Sequence, residues 1–237
     1  MKKILQKVIA ESGFCSRRQA EAAIKRGEVK VNGQLAKPGE LASATDEITV
    51  RGKKIGAPQE KIYLKLNKPK GYVCTNRSFV NEKNIFSLIP SNIKGLFTVG
   101  RLDKNSHGLI ILTNDGDLNL KLTHPRSEHV KIYEVKTKPD LEEKIIKRIQ
   151  KNLVSGIPFD EDEGIAKAKK VSYLGEGAFR VFLSEGKKRQ IRRMFEACGA
   201  KVSDLKRTNF ASLELGGLAE GQWGYLSKSE IAKLREL

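Results

Sequence analysis

The sequence predicts an α+β protein in two parts: a small N-terminal unit of a helix pair plus a sheet, and a larger mixed, mainly antiparallel α+β domain. Three observations carry this. Residues 1–56 hold two helix-period patterns followed by short alternating strands. A stretch of glycine, proline and charge, "GKKIGAPQEK", then replaces the periodic hydrophobics. Beyond it, strand-like runs joined by short links dominate, interspersed with helix-like ones. The expected division is 1–56, a linker at 57–60, and a second domain over 61–237.

In the first unit, Ile4, Leu5, Val8 and Ile9 follow helical spacing, and Gly13 stops the pattern. "SRRQAEAAIKRG" opens with Ser16 and Gln19 in capping-box spacing, sets Ala20, Ala23 and Ile24 on one face and ends at Gly27. "EVKVNGQL" alternates around Asn32-Gly33, a strong hairpin signal, and "DEITVRG" offers another strand. In the second domain the strand candidates are "KIYLKLN", "GYVCT", "GLIILTN", "KIYEVKT", "AFRVFLS" and "ASLELG". The helix candidates are "DLEEKIIKRIQKNL", "KRQIRRMFEACG" ending at Gly199, and "SKSEIAKLREL" with Ser227 and Glu230 in capping-box spacing.

Charge narrows the partners. Lys and Arg number 45 against 28 Asp and Glu, a formal +17, and such an excess points to a polyanion. Arg17, Arg18, Lys25, Arg26 and Lys30 cluster along the second helix and the strand after it, a face suited to phosphates. No run of about 18 apolar residues exists and the N-terminus breaks early into charge, so a soluble, unprocessed cytoplasmic protein without membrane contact is expected. Cys15, Cys74 and Cys198 are widely spaced and form no disulfide or zinc pattern. His107, His124 and His129 lack ligand spacing and read as loop or surface histidines; no metal is expected. The glycines assemble into no P-loop or dinucleotide fingerprint, and no G-x-S-x-G elbow appears.

What remains is a carboxylate. In "TVGRLDKNSHGLIILTNDGDL", Asp103 lies just before a strand-forming run, with Arg101 two residues away and Gly100 and Gly108 on either side. An Asp there can simply form a turn. A buried one must be paired, because desolvating a lone charge costs several kcal/mol or more, and "GKKRQIRRM" can bring a guanidinium.

These residues carry a family likeness. "GRLDKNSHGLIILTNDG" resembles the signature of the RsuA/RluB-type ribosomal RNA pseudouridine synthases, with Ser106 where threonine is frequent. "KLNKPKGYVCT", "KIYEVKT" and "EGKKRQIRRMFEACGAKVSDLKRTNFASLELGGLAEGQW" agree with it in order, and "SRRQAEAAIKRGEVKVNG" resembles the S4 RNA-binding domain. The likeness covers essentially the full chain. It implies an S4-like domain followed by a pseudouridine synthase catalytic domain, acting on a flipped-out uridine without a cofactor. It implies Asp103 as the catalytic residue, Tyr133 stacking on the uracil or assisting loss of the C5 proton, and Arg192 as the ion-pair partner of Asp103, with Arg189 and Arg193 as competitors. Arg101, Lys187, Lys188, Arg189, Arg193, Lys206 and Arg207 are the expected RNA contacts around the pocket. Details of "GRLDKNSHGLI" and the C-terminal block resemble the RluF-like branch, which implies large-subunit rRNA as target, with tRNA as a further substrate; an RsuA-like small-subunit target is the alternative. A non-catalytic S4-type RNA-binding or ribosome-assembly factor is the rival from another class. A methyltransferase would need a glycine-rich cofactor turn that is missing here. No heptad or apolar stripe demands a second copy, so a monomer is expected.

Overall fold

The computed structural model describes residues 2–43, 45–77, 80–160 and 163–237, of Pro125 only the backbone. Contacts between Cα atoms divide the chain into two compact units. One holds the residues up to Lys61 together with Asn92–Leu96; the other holds Ile62–Ser91 and Phe97–Leu237. The short 92–96 segment is an addition that the sequence division into 1–56, 57–60 and 61–237 does not contain.

In the first unit, helices Leu5–Glu11 and Arg17–Lys25 accompany an antiparallel sheet in the order Gln34–Leu35, Val29–Val31, Ile48–Val50, Lys53–Lys54. The capping box forms: the Gln19 amide donates to Ser16 Oγ at 3.3 Å, and the Ser16 amide donates to Gln19 Oε1 at 3.0 Å. Asn32 (φ 50°) and Gly33 (φ 82°) take the left-handed conformations that a two-residue hairpin turn demands. Leu5, Val8, Ile9, Ala20, Ala23, Ile24, Val29, Ile48 and Val50 form the core. Ile4, read as part of the first helix face, instead ends the short Lys3–Ile4 strand, paired with Leu41–Ala42.

The second unit is built on a nine-stranded sheet. Its main path runs Lys170–Gly175, Ala178–Leu183, Lys131–Lys136, Asp204–Phe210, His107–Thr113, Tyr63–Lys68, Trp223–Tyr225, with Phe97–Val99 added to His107–Thr113 and Leu213–Glu214 to Asp204–Phe210. Every pairing in it is antiparallel except that of His107–Thr113 with Asp204–Phe210. This parallel pair at the centre brings two strand starts, His107 and Asp204, to one end of the sheet. Helices Gly116–Thr123, Glu143–Ser155, Gln190–Ala197 and Lys228–Glu236 complete the unit. Leu109 and Ile111 pack with Leu118, Leu122, Phe210 and Leu234 in a core that fixes the central strand. Phe179 meets Phe195 edge-on at 5.2 Å between ring centres, tying the Gln190–Ala197 helix to the sheet. The three cysteines are free thiols, and among the described residues no helix is long and apolar enough to cross a membrane.

Candidate active site

The loop from Gly100 to Ser106 enters the central strand, and a buried lysine holds it. Lys68 ends the Tyr63–Lys68 strand with no solvent exposure. Its Nζ donates to the carbonyls of Ser106 at 2.6 Å, Pro69 at 3.0 Å, Asp103 at 3.1 Å and Lys104 at 3.4 Å. The ammonium thus gathers three carbonyls of the Asp103 loop around one charge. Burial pushes its pKa down to about 8, and the nearby Asp103 partly opposes that. The Ser106 amide donates back to the Asp103 carbonyl at 3.0 Å, closing the turn, and buried Leu102 anchors its other side.

The Asp103 side chain is half-buried. Among the described residues, no hydrogen bond or ion pair engages its carboxylate. This corrects the expected ion pair with Arg192. The Arg192 guanidinium instead donates to the carbonyls of Asn105 at 2.9 Å and Val202 at 3.0 Å. Arg192 still feels the carboxylate: burial and Arg189 push its pKa down, while Asp103 and Asp204 push it back up. At the same end of the sheet, His107 Nε2 lies 3.0 Å from Asp204 Oδ1, and Lys70 also pairs with Asp204. His107 is therefore an internal partner rather than a loop or surface histidine.

A row of side chains crosses the sheet here. Tyr133 stands opposite Arg207, Arg207 beside Gly108, and Gly108 opposite Lys68, so cross-strand register places all four on one face. Gly108, at φ 102°, cannot be replaced without strain: an added Cβ would lie 2.3 Å from the Arg207 carbonyl oxygen. Arg207 is 2% exposed, and its Nε donates to the Leu109 carbonyl at 2.8 Å. Tyr133 is 9% exposed. The result is an unengaged carboxylate on a loop pinned by two cations, with an aromatic side chain from a central strand in the same unit.

Comparison with known proteins fits this arrangement. The family described as RNA pseudouridylate synthase matches residues 62–197, and the S4 domain matches residues 5–48. The chain is 37% identical over 238 residues to the ribosomal large subunit pseudouridine synthase B of Bacillus subtilis (strain 168), covering 98% of this chain and 96% of that one. The chain belongs to the RNA pseudouridine synthase family. A crystal structure of a pseudouridylate synthase superposes with a TM-score of 0.68 at 33% identity, over 98% of this chain and 99% of that one. The dual-specificity RNA pseudouridine synthase RluF of Escherichia coli (strain K12) is 36% identical over 98% of this chain and 78% of its own length. The protein is an RNA isomerase with an N-terminal S4 domain.

Against that family background, the expected RNA contacts divide. Arg101, Lys188 and Arg189 are exposed, and Lys206 is half-buried. Arg207 is corrected: it lies inside the sheet, where a phosphate does not reach it. Lys187 and Arg193 also serve the fold. Lys187 donates to the carbonyls of Glu163 and Ile165, while Arg193 pairs with Glu163 at 2.9 Å and Asp160 at 2.9 Å and lies 3.7 Å over the Phe159 ring. Backbone carbonyls hold Lys187 and opposite charge holds Arg193, so both are engaged within the protein. In the S4 unit Lys25 pairs with Glu21 and Arg26 with Glu28, both at 2.8 Å, whereas Arg17, Arg18 and Lys30 are exposed and carry no ion pair among the described residues. Sequence reasoning missed Lys68. The signal available was a lysine closing a strand-like stretch just before a proline in "YLKLNKP".

Proposed function

We propose that the protein converts a uridine of large-subunit ribosomal RNA to pseudouridine, with Asp103 as the catalytic residue. The observation that carries this is the half-buried Asp103 carboxylate, without a partner among the described residues and held by a loop whose carbonyls converge on Lys68. The reaction breaks N1–C1′, turns the uracil, and joins C5 to C1′; the C5 proton is lost and N1 gains one, so no atom is added. Asp103 attacks C1′ or takes a sugar proton, either of which needs the ionised form. Arg192 and Lys68 hold the loop through its carbonyls. Tyr133 is the aromatic surface for the uracil. The uridine must leave its stack to reach Asp103, at a cost of a few kcal/mol that basic contacts offset. Arg17, Arg18, Lys30, Arg101, Lys188 and Arg189 supply those contacts, and the S4 unit grips a second RNA segment.

The large-subunit target is supported by the near full-length likeness to a synthase so named. The protein works as a cytoplasmic monomer without metal or cofactor. Pseudouridine maps of rRNA and tRNA from cells lacking the protein test the function. Loss at one or a few large-subunit uridines, restored by the wild-type chain, is the expected result; an unchanged map would refute it, and loss confined to small-subunit rRNA would overturn the target.

A further inference from the structure

Beside the Asp103 loop, the same unit carries a groove of about 410 Å³ whose lining includes Thr75, Phe97, Thr98, Arg101, Asn119 and Thr123. That volume lies within the roughly 300–1,000 Å³ of small-ligand sites. No carboxylate is among its described lining residues. Arg101 is exposed and carries no ion pair among the described residues, which leaves its guanidinium available to a phosphate. Half-buried Phe97 offers a ring, and threonine hydroxyls surround it.

One atom specifies the ligand further. Asn119 Oδ1 is buried and, among the described residues, accepts no hydrogen bond. An acceptor left in that state costs about 1–3 kcal/mol, which an N–H donor reaching it from the groove would recover. A phosphate, a ring-sized apolar surface and an N–H donor together describe a nucleotide. Arg101 is two residues from Asp103, a span of at most about 7 Å along the chain, so a phosphate on Arg101 lies close to a nucleotide held at Asp103.

We propose that this groove is a second nucleotide subsite. It holds one unpaired nucleotide adjacent to the target uridine, its phosphate on Arg101, its base on Phe97 and a base N–H donated to Asn119 Oδ1. The inference rests on the RNA isomerase reading, and it makes Asn119 a specificity-determining residue.

The test uses the full chain and an rRNA fragment containing the mapped uridine, with an abasic residue placed in turn at each flanking position. One position is expected to lower kcat/KM by about tenfold or more, and Asn119→Leu to lower it similarly on intact RNA. Combining the two should cost little beyond either alone, with kcat at saturating RNA nearly unchanged. Additive losses, or no sensitive flanking position, would overturn the subsite. Should Asn119→Leu fail to fold, 4-thiouridine at the flanking positions of RNA bound to the wild-type protein decides. Crosslinks to peptides containing Phe97 or Arg101 support the subsite, and crosslinks only elsewhere overturn it. Free mononucleotides that block these crosslinks as well as RNA does would also overturn it, by removing the link to the target strand. A wild-type enzyme that crosslinks at these peptides yet forms no pseudouridine would overturn the isomerase reading instead.

Discussion

Replacing Lys68 by methionine separates stability from catalysis. The ammonium holds four carbonyls at 2.6 to 3.4 Å, and bonds from a charged donor contribute about 1.5–3 kcal/mol each. Against this stands the cost of keeping the charge buried. The fall of its pKa from 10.5 to about 8 amounts to about 3 kcal/mol at about 1.36 kcal/mol per pKa step. Methionine fills a similar volume but leaves the carbonyls unpaired, and the four charged bonds, about 6–12 kcal/mol together, exceed the burial cost, so the net loss of stability is expected to be about 3 kcal/mol or more. The Asp103 loop, however, loses its anchor, and a displacement of about 1 Å at a reacting group can lower the rate by about a hundredfold. Urea unfolding and single-turnover pseudouridine formation read the two effects separately. Acidity adds a signature. Between about pH 8 and the unfolded value of 10.5 the folded chain has released the Lys68 proton while the unfolded chain keeps it, so wild-type stability rises with pH across that window. The methionine variant lacks this rise. Wild-type kcat runs the other way, falling above about pH 8 as the ammonium that gathers the loop is lost. A variant with kcat within about threefold of wild type would refute the anchoring role.

Two further outcomes follow from the geometry. Gly108→Ala places a Cβ 2.3 Å from the Arg207 oxygen at φ 102°, so urea unfolding should show a loss of at least about 2 kcal/mol. Replacing Arg17 and Arg18 together by alanine, both exposed and free of ion pairs among the described residues, should weaken RNA binding and make its logarithmic salt dependence shallower by about 2, with kcat at saturating RNA unchanged.

Much of the fold was legible because local chemistry and tertiary structure agree. Ser16 and Ser227 form the capping boxes their spacing announces, and Asn32-Gly33 makes its turn. "DLEEKIIKRIQKNL" and "KRQIRRMFEACG" yield helices Glu143–Ser155 and Gln190–Ala197. The cations were harder to read, since a basic residue in a strand looks the same whether it meets phosphate or carbonyl. The alternation in "DLKRTNF" does place Arg207 on the face of buried Leu205, a clue outweighed by its charge. Lys68 gave less warning, because its partners at 103, 104 and 106 are brought to it only by the pairing of distant strands. Arg192 was expected to pair with Asp103, but its two terminal nitrogens donate to the Asn105 and Val202 carbonyls, a competition that sequence spacing does not encode.

The central claim is that the free carboxylate of Asp103 performs the isomerisation. Asp103→Asn keeps the size and polarity of the side chain while removing its charge. Measured on purified protein with RNA carrying the mapped uridine, the variant should bind within about twofold of wild type and form pseudouridine at least about a thousandfold more slowly. Turnover within about tenfold of wild type would contradict the account.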